Sequence, residues 1–174
     1  MAGEKKKLWD IEIPLLRQKF QGIATSPDAL VGKMMKLDMT RMLKGKNIDA
    51  AFTIVKRNDK LEADFYSITL LAGYIKRMMR KSITWIEDSF VCSAKDTRMQ
   101  IKPFMITKKR VHRSVRTELR NRAKEAITEF VKEKDAQQVF DAIIHQDLQK
   151  DISSKLKKVY PLALCEIRIC KIVK

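Results

Sequence analysis

Between Arg113 and Glu133, apolar residues recur at steps of three and four: Val115, Leu119, Ala123, Ala126, Ile127 and Phe130. No other segment constrains the fold as tightly, because this spacing is that of a single helix with one buried face. At ~100° per residue, Arg113, Arg116, Arg120 and Lys124 share a sector of roughly 80°, about a quarter turn from the apolar one. The segment is expected to lay its apolar stripe on a core and to carry a basic ridge along its flank. Such a helix cannot stand alone, so the rest of the chain must supply the surface that it covers.

That surface reads as β structure. Ile48, Ala50, Phe52 and Ile54 alternate on one face, Arg57-Asn58-Asp59-Lys60 turns the chain, and Leu61, Ala63 and Phe65 alternate on the return, which is the pattern of an antiparallel hairpin. Two β-favouring runs, Ile83 to Ala94 and Met99 to Thr107, form a second hairpin around Lys95-Asp96-Thr97-Arg98. Pro103 has no N–H to give a ladder, so the second run is expected at an edge or with a bulge. Shorter strands are expected at Leu8 to Ile13, ended by Pro14, at Lys33 to Leu37, and at Leu164 to Ile172. Between Leu15 and Gly32 the signals are mixed, and Gly22 with Thr25-Ser26-Pro27-Asp28 reads as loop.

Further helices complete the pattern. Asp38 starts a helical turn that Gly45 closes. From about Leu71 to Lys81 a short helix places Ile75, Met78 and Met79 on one side and leaves Lys76, Arg77, Arg80 and Lys81 as a cationic cluster. Asp135 and Gln138 form a capping box for a helix buried through Val139, Phe140, Ile143, Ile144 and Leu148, with His145 beside that stripe. Ile152 and Leu156 extend a helical pattern toward Pro161. Strands and helices do not alternate as in a doubly wound sheet. The expected class is therefore α+β, a mainly antiparallel, barrel-like sheet built from hairpins with two to four packed helices. Residues 1–174 are expected to form one domain led by a basic arm at about residues 1–7.

Charge narrows the function. The 174 residues include 37 Lys+Arg against 21 Asp+Glu, a formal net charge of +16, while 45% of the chain is hydrophobic. The apolar fraction is too high for a disordered basic tail, so the excess belongs to the exterior of a folded domain and needs a polyanion. Between Lys102 and Arg122 only Glu118 interrupts the cations. Lys108-Lys109-Arg110 runs directly into Arg113, Arg116 and Arg120, so strand end and helix flank can share one phosphate-binding patch. Lys76, Arg77, Arg80 and Lys81 make a second patch, and the arm carrying Lys5, Lys6 and Lys7 is expected to be ordered only by a partner.

Other chemistries lack their residues. There is no Gly-rich phosphate loop and no nucleophile elbow, and Glu87-Asp88 would point to opposite faces of a strand, so catalysis is not expected. Cys92, Cys165 and Cys170 form no Cys-x-x-Cys pair and read as reduced core residues. With only His112 and His145, far apart in sequence, no metal or other cofactor is expected. The Met34, Met35, Met39 and Met42 run reads as core filler. Trp9, Tyr66, Tyr74 and Trp85 read as core or protein-contact residues, since none has the glycine-aromatic spacing of an RNA-recognition sheet. No apolar stretch approaches the ~20 residues of a membrane span, no export signal opens the chain, and the main helix lacks the bulky aromatics of a membrane-surface helix. No membrane partner is expected.

Several strings together resemble a family of small-ribosomal-subunit proteins of archaea and eukaryotes, called eukaryotic-type protein one or three-a. They are Lys7-Leu8-Trp9-Asp10-Ile11, Met79-Arg80-Lys81 through Trp85-Ile86-Glu87, Phe104-Met105-Ile106-Thr107-Lys108-Lys109-Arg110, and Tyr160-Pro161-Leu162 with Ile167-Arg168. The chain departs from the family at Lys95-Asp96-Thr97-Arg98, where an Asp-Gly turn is usual, and it ends at Lys174 without the long basic tail of many eukaryotic members. The resemblance implies a non-catalytic, cytoplasmic ribosomal component on the platform, near the messenger exit and the 3′ end of the small-subunit rRNA. It implies that rRNA, neighbouring platform proteins and messenger at the exit channel are partners. Charge alone leaves a second reading open: a free-standing nucleic-acid binder acting in chromatin or RNA regulation.

Overall fold

Apolar periodicity changes from two to about 3.6 residues where Leu61, Ala63 and Phe65 give way to Tyr74 and Ile75, and the chain changes from strand to helix there. The computed structural model describes residues 6–41, 43, 46–57 and 60–173. Among these are nine strands and four α-helices, the α+β class expected. The chain divides into two compact units, residues 1–37 with 50–66, and residues 38–49 with 67–174.

In the first unit, β1 (Lys7–Ile13) runs antiparallel to β2 (Gln18–Ala24), with Leu8 opposite Ile23 and Trp9 opposite Gly22. β1 also pairs in parallel with β5 (Lys60–Leu70) through Ile11 and Leu61. β4 (Ile48–Arg57) joins β5 to β3 (Met34–Asp38). Ile11, Ile13, Phe52, Leu61 and Phe65 fill the core, and the rings of Phe52 and Phe65 lie 4.3 Å apart. The expected hairpin of β4 and β5 is present, while its turn residues Asn58 and Asp59 lie outside the described residues.

β2 was expected as loop. Its sequence, Gln18-Lys19-Phe20-Gln21-Gly22-Ile23-Ala24, has a glycine mid-strand and buries only Ala24, so its own pattern is weak. Gly22 is there for space: a Cβ would lie 2.9 Å from Ile11 Cδ1 and 3.2 Å from Leu30 Cδ1. β1 supplies the ladder that makes this segment a strand.

In the second unit the end of β5 pairs antiparallel with β9 (Leu162–Val173), and β9 pairs along most of its length with β8 (Arg98–Thr107). On the other side of β8 lie β6 (Trp85–Glu87) and β7 (Phe90–Ser93), one after the other. The expected run from Ile83 to Ala94 is thus two strands, broken where the Asp88 carboxylate accepts the Ser89 N–H. β8 is an interior strand, so Pro103 does not mark an edge. It marks a bulge, with the register to β9 shifting between Lys102 and Pro103.

Helix α1 (Ala72–Met78) is shorter than expected: Met79 already has extended backbone, and Tyr74 and Ile75 are buried while Met78 and Met79 are exposed. Helix α2 (Arg113–Lys132) buries Leu119, Ala123, Ala126, Ile127 and Val131 and packs over β6 and β7, whereas Val115 and Phe130 are half-buried. α3 (Ala136–Ile144) has the expected capping box, and its N1 amide also donates to the Asp96 carboxylate of the β7–β8 turn at 2.9 Å. The segment expected as one helix to Leu148 breaks at Gln146, whose φ of 66° is left-handed, and Leu148 begins the buried stripe of α4 (Asp147–Leu156). Met39 is buried but Met34 is 56% exposed, so that methionine run is only partly core. The turn after Asp38 is capped by its carboxylate on the Thr40 N–H, while Met42, Lys44 and Gly45 lie outside the described residues. Among the described residues neither unit's ladder closes on itself, so the sheet is open and not barrel-like.

Candidate nucleic-acid interface

The site is built where β8 ends. Thr107 is fully buried, and its backbone N–H donates to the Thr84 carbonyl at 2.9 Å. Its hydroxyl accepts the Thr84 N–H at 3.2 Å and lies 2.6 Å from the Lys109 carbonyl and 3.0 Å from the Thr84 carbonyl. A hydroxyl has one proton, and the shorter contact to Lys109 takes it. The Thr84 hydroxyl in turn accepts the Val111 N–H at 3.3 Å. Two threonines therefore tie the stretch after β8 to the stretch before β6 and fix where Lys108 to Arg113 emerge.

One consequence is that two cationic clusters separated in sequence meet. The Arg110 guanidinium donates to the Lys81 carbonyl at 3.1 Å. Arg80, Lys81, Arg110 and Arg116 line one open groove of about 480 Å³ with Ile83, Thr84, Trp85 and Val111. Among the described residues no carboxylate lines it. Glu87, on the same face of β6 as Trp85, is bound by Arg168 at 2.7 Å. Glu118 is bound by Arg122 at 2.7 Å, and both lie roughly 200–240° around α2 from Arg116. The nearby acids are thereby neutralised or turned away, leaving the groove positive.

The other expected contact residues are placed differently. Lys108 and Lys109 are exposed on the turn before α2. Arg113 is exposed and faces a separate shallow concavity that it shares with Glu118, Arg122 and Glu125. Arg120 is half-buried, and its Nε is buried without an acceptor. Its sector overlaps that of Ile127 and Val131, so the guanidinium shares the core-facing arc of the helix. Lys124 sits 5.9 Å from the Phe90 ring. The basic ridge is therefore interrupted at Arg120, which sinks toward the packing, while Lys124 beyond it is exposed. Lys76 and Arg77 lie on α1, where Arg77 stacks on Tyr74 and donates to Asn47 Oδ1 at 2.5 Å; Arg80 and Lys81 follow the helix. Lys6 and Lys7 belong to the first unit and are exposed, and Lys5 lies outside the described residues.

Sequence reasoning left Trp85 as a core or protein-contact residue and gave the two threonines no role. Trp85 is 51% exposed on the groove and is not a core residue. The alternation Trp85-Ile86-Glu87 could have shown it, because Ile86 takes the inward position. Cys92 and Cys170 are buried and Cys165 is half-buried; burial raises all three thiols, Cys92 to about 11 and Cys165 to about 12, so they stay protonated near neutrality. Among the described residues no three of His, Cys, Asp and Glu gather as a metal site, and no helix is long and apolar enough to cross a membrane.

Comparison with known proteins agrees with the expected family. Residues 4–174 match the model of the ribosomal S3Ae family. The small ribosomal subunit protein eS1 of Nanoarchaeum equitans is 26% identical, over 96% of this chain and 89% of the relative. The protein of the same name from Sulfolobus acidocaldarius is 31% identical over 67% of this chain and 59% of the relative, and that of Haloarcula marismortui is 23% identical over 83% and 70%. The match runs through both compact units and includes every residue of the basic groove. The chain belongs to the ribosomal S3Ae family, and its role is structural, within the small ribosomal subunit, and not enzymatic.

Proposed function

We propose that this chain holds small-subunit rRNA through the groove of Arg80, Lys81, Arg110 and Arg116, with Lys108, Lys109 and Arg113 extending the contact along the turn into α2. The observation that carries the reading is the convergence of cations from two separate stretches of chain on a surface whose neighbouring carboxylates are neutralised or turned away. Guanidinium forks bind phosphate oxygens bidentately, and each neutralised phosphate releases counterions. The folded core fixes the spacing of those charges and so holds RNA segments in register. Lys76, Arg77, Arg120 and the arm residues Lys5, Lys6 and Lys7 add longer-range attraction. Residues 1–174 act in this reading as one rRNA-binding domain led by the basic arm.

The family resemblance supports a seat on the platform, near the messenger exit and the 3′ end of the rRNA, beside other platform proteins and within reach of messenger. As a ribosomal protein the chain works in the cytoplasm. The test is sucrose-gradient sedimentation of a tagged copy from its native cells after a high-salt wash, alongside the Arg110→Glu, Arg113→Glu, Arg116→Glu variant. All three side chains are exposed, so the variant should fold, which its far-ultraviolet circular dichroism checks. The wild type should travel with small subunits and the variant should stay in the light fractions. Normal incorporation of the variant would remove the groove from the RNA interface. A wild type found only in the light fractions would favour the free-standing nucleic-acid binder.

A further inference from the structure

We propose that Trp85 is a stacking platform for one unpaired RNA base, whose flanking phosphates are held by Arg80, Lys81, Arg110 and Arg116. This subsite rests on the reading of the groove as an RNA interface and goes beyond it, because phosphate contacts alone require neither a single strand nor an aromatic ring.

The argument begins with exposure. Trp85 is 51% exposed in an otherwise well-packed unit, and it is one of two tryptophans in the chain. The other, Trp9, is half-buried and donates its indole N–H to the Ala24 carbonyl at 3.2 Å. Strand geometry explains the difference at Trp85: Ile86 faces inward, so its neighbour must face out. Pairing with Ile106 of β8 holds the Trp85 backbone, and the Thr84–Thr107 hydrogen bonds fix the residue before it. The indole is therefore carried on a rigid edge strand and needs little ordering to receive a ligand.

Its surroundings select the ligand. Four cations share the groove with the ring, yet among the described residues no cation lies over its face, whereas Arg77, Lys124 and Lys134 each sit over another aromatic ring. An apolar protein segment would have to desolvate these cations, and a duplex keeps its bases stacked inside. An unpaired nucleotide offers both of the needed groups, a π-face for the indole and phosphates one step either side for the guanidinium and ammonium groups.

The test uses the full chain with Trp9→Phe, so that Trp85 is the sole tryptophan, and two probes: an adenylate octamer and an RNA duplex of eight base pairs. The octamer should quench Trp85 fluorescence, and the duplex should bind without quenching. Trp85→Ala should weaken octamer binding about tenfold without changing its salt dependence, duplex binding should be unaffected, and Trp85→Tyr should restore most of the loss. Octamer affinity unchanged in Trp85→Ala would overturn the subsite while leaving the basic interface intact. Octamer affinity unchanged in Arg110→Glu, Arg116→Glu, with Trp85 still quenched, would instead remove the basic interface. If Trp85→Ala abolished incorporation into small subunits but left octamer binding unchanged, a protein neighbour would cover the ring and the proposal would fail.

Discussion

The two compact units are made of similar strands and treat charge in opposite ways. The first unit's sequence has 10 Lys and Arg against 7 Asp and Glu, a net +3, and the second has 27 against 14, a net +13. In the first unit Lys19 bonds Glu12, Lys56 bonds Asp28, and Arg57 bonds both Glu62 and Asp64. In the second, among the described residues, Arg80, Lys81, Arg110 and Arg116 have no carboxylate partner, while the acids nearby are bound to other cations. Net charge alone would describe the molecule as uniformly basic. In the proposed reading, cationic excess becomes a binding surface only where the fold keeps carboxylates away from it.

The comparison can be broken most forcefully inside the second unit, which also holds the ion pair of Lys46 and Glu166. The two groups are 2.5 Å apart, with side chains only 16% and 7% exposed. Glu166 also adds to the effect of burial in raising the Tyr74 hydroxyl. Glu166→Ala leaves the Lys46 ammonium without its partner, and urea unfolding should show a loss of about 3 kcal/mol. Lys46→Met with Glu166→Leu should recover most of it. Arg80→Ala with Lys81→Ala should change stability by less than about 0.5 kcal/mol, because surface cations without partners hold nothing together. If the groove variant proved as destabilising as Glu166→Ala, the cations would be structural and the contrast between the units would collapse.

Thr107→Val is a smaller perturbation with a sharper meaning. The substitution keeps the shape but removes the hydroxyl that meets the Lys109 carbonyl and the Thr84 N–H in a fully buried site. Denaturant unfolding should report a loss of about 2 kcal/mol. RNA affinity should fall as well, with no change in net charge, because Arg110 loses the anchor that sets it beside Lys81. Unchanged affinity would mean that the groove's charges act by number and not by position.

Legibility from sequence followed the same division between number and position. Helix α2 and the β4–β5 hairpin were legible because their own apolar spacing settles their class. β2 was not, since its only buried side chain is Ala24 and its pairing is imposed by β1. The cationic residues could be read from local density, but the meeting of Arg80 and Lys81 with Arg110 and Arg116 depends on two threonine hydroxyls that composition and periodicity do not register. Arg120 shows the reverse failure: a helical wheel assigns it to the ridge, while the lengthening of the apolar arc by Val131 draws it toward the core.

The smallest expected effect tests the first unit. Glu12 and Lys19 form an exposed pair at 2.7 Å, in which the Lys19 hydrogen bond and charge hold the Glu12 carboxyl below its ordinary range and raise the Lys19 ammonium. A carboxylate lowered in the folded state stabilises it above the unfolded value of about 4.3, and that contribution disappears as pH falls through the lowered value. Replacing both residues with Ala should therefore remove that small contribution at neutral pH, leave stability below the lowered value unchanged, and so flatten the acid limb of the unfolding curve. The same variant should leave the slope of log affinity against log salt for RNA unchanged, because it removes one charge of each sign from a pair that already neutralises itself. Arg80→Ala with Arg116→Ala should reduce that slope by about 1.4 to 1.8, the release expected for two phosphates. If the first-unit pair moved the slope as far as the groove pair did, RNA would be reading the whole basic exterior, and pairing would no longer separate a binding surface from a merely charged one.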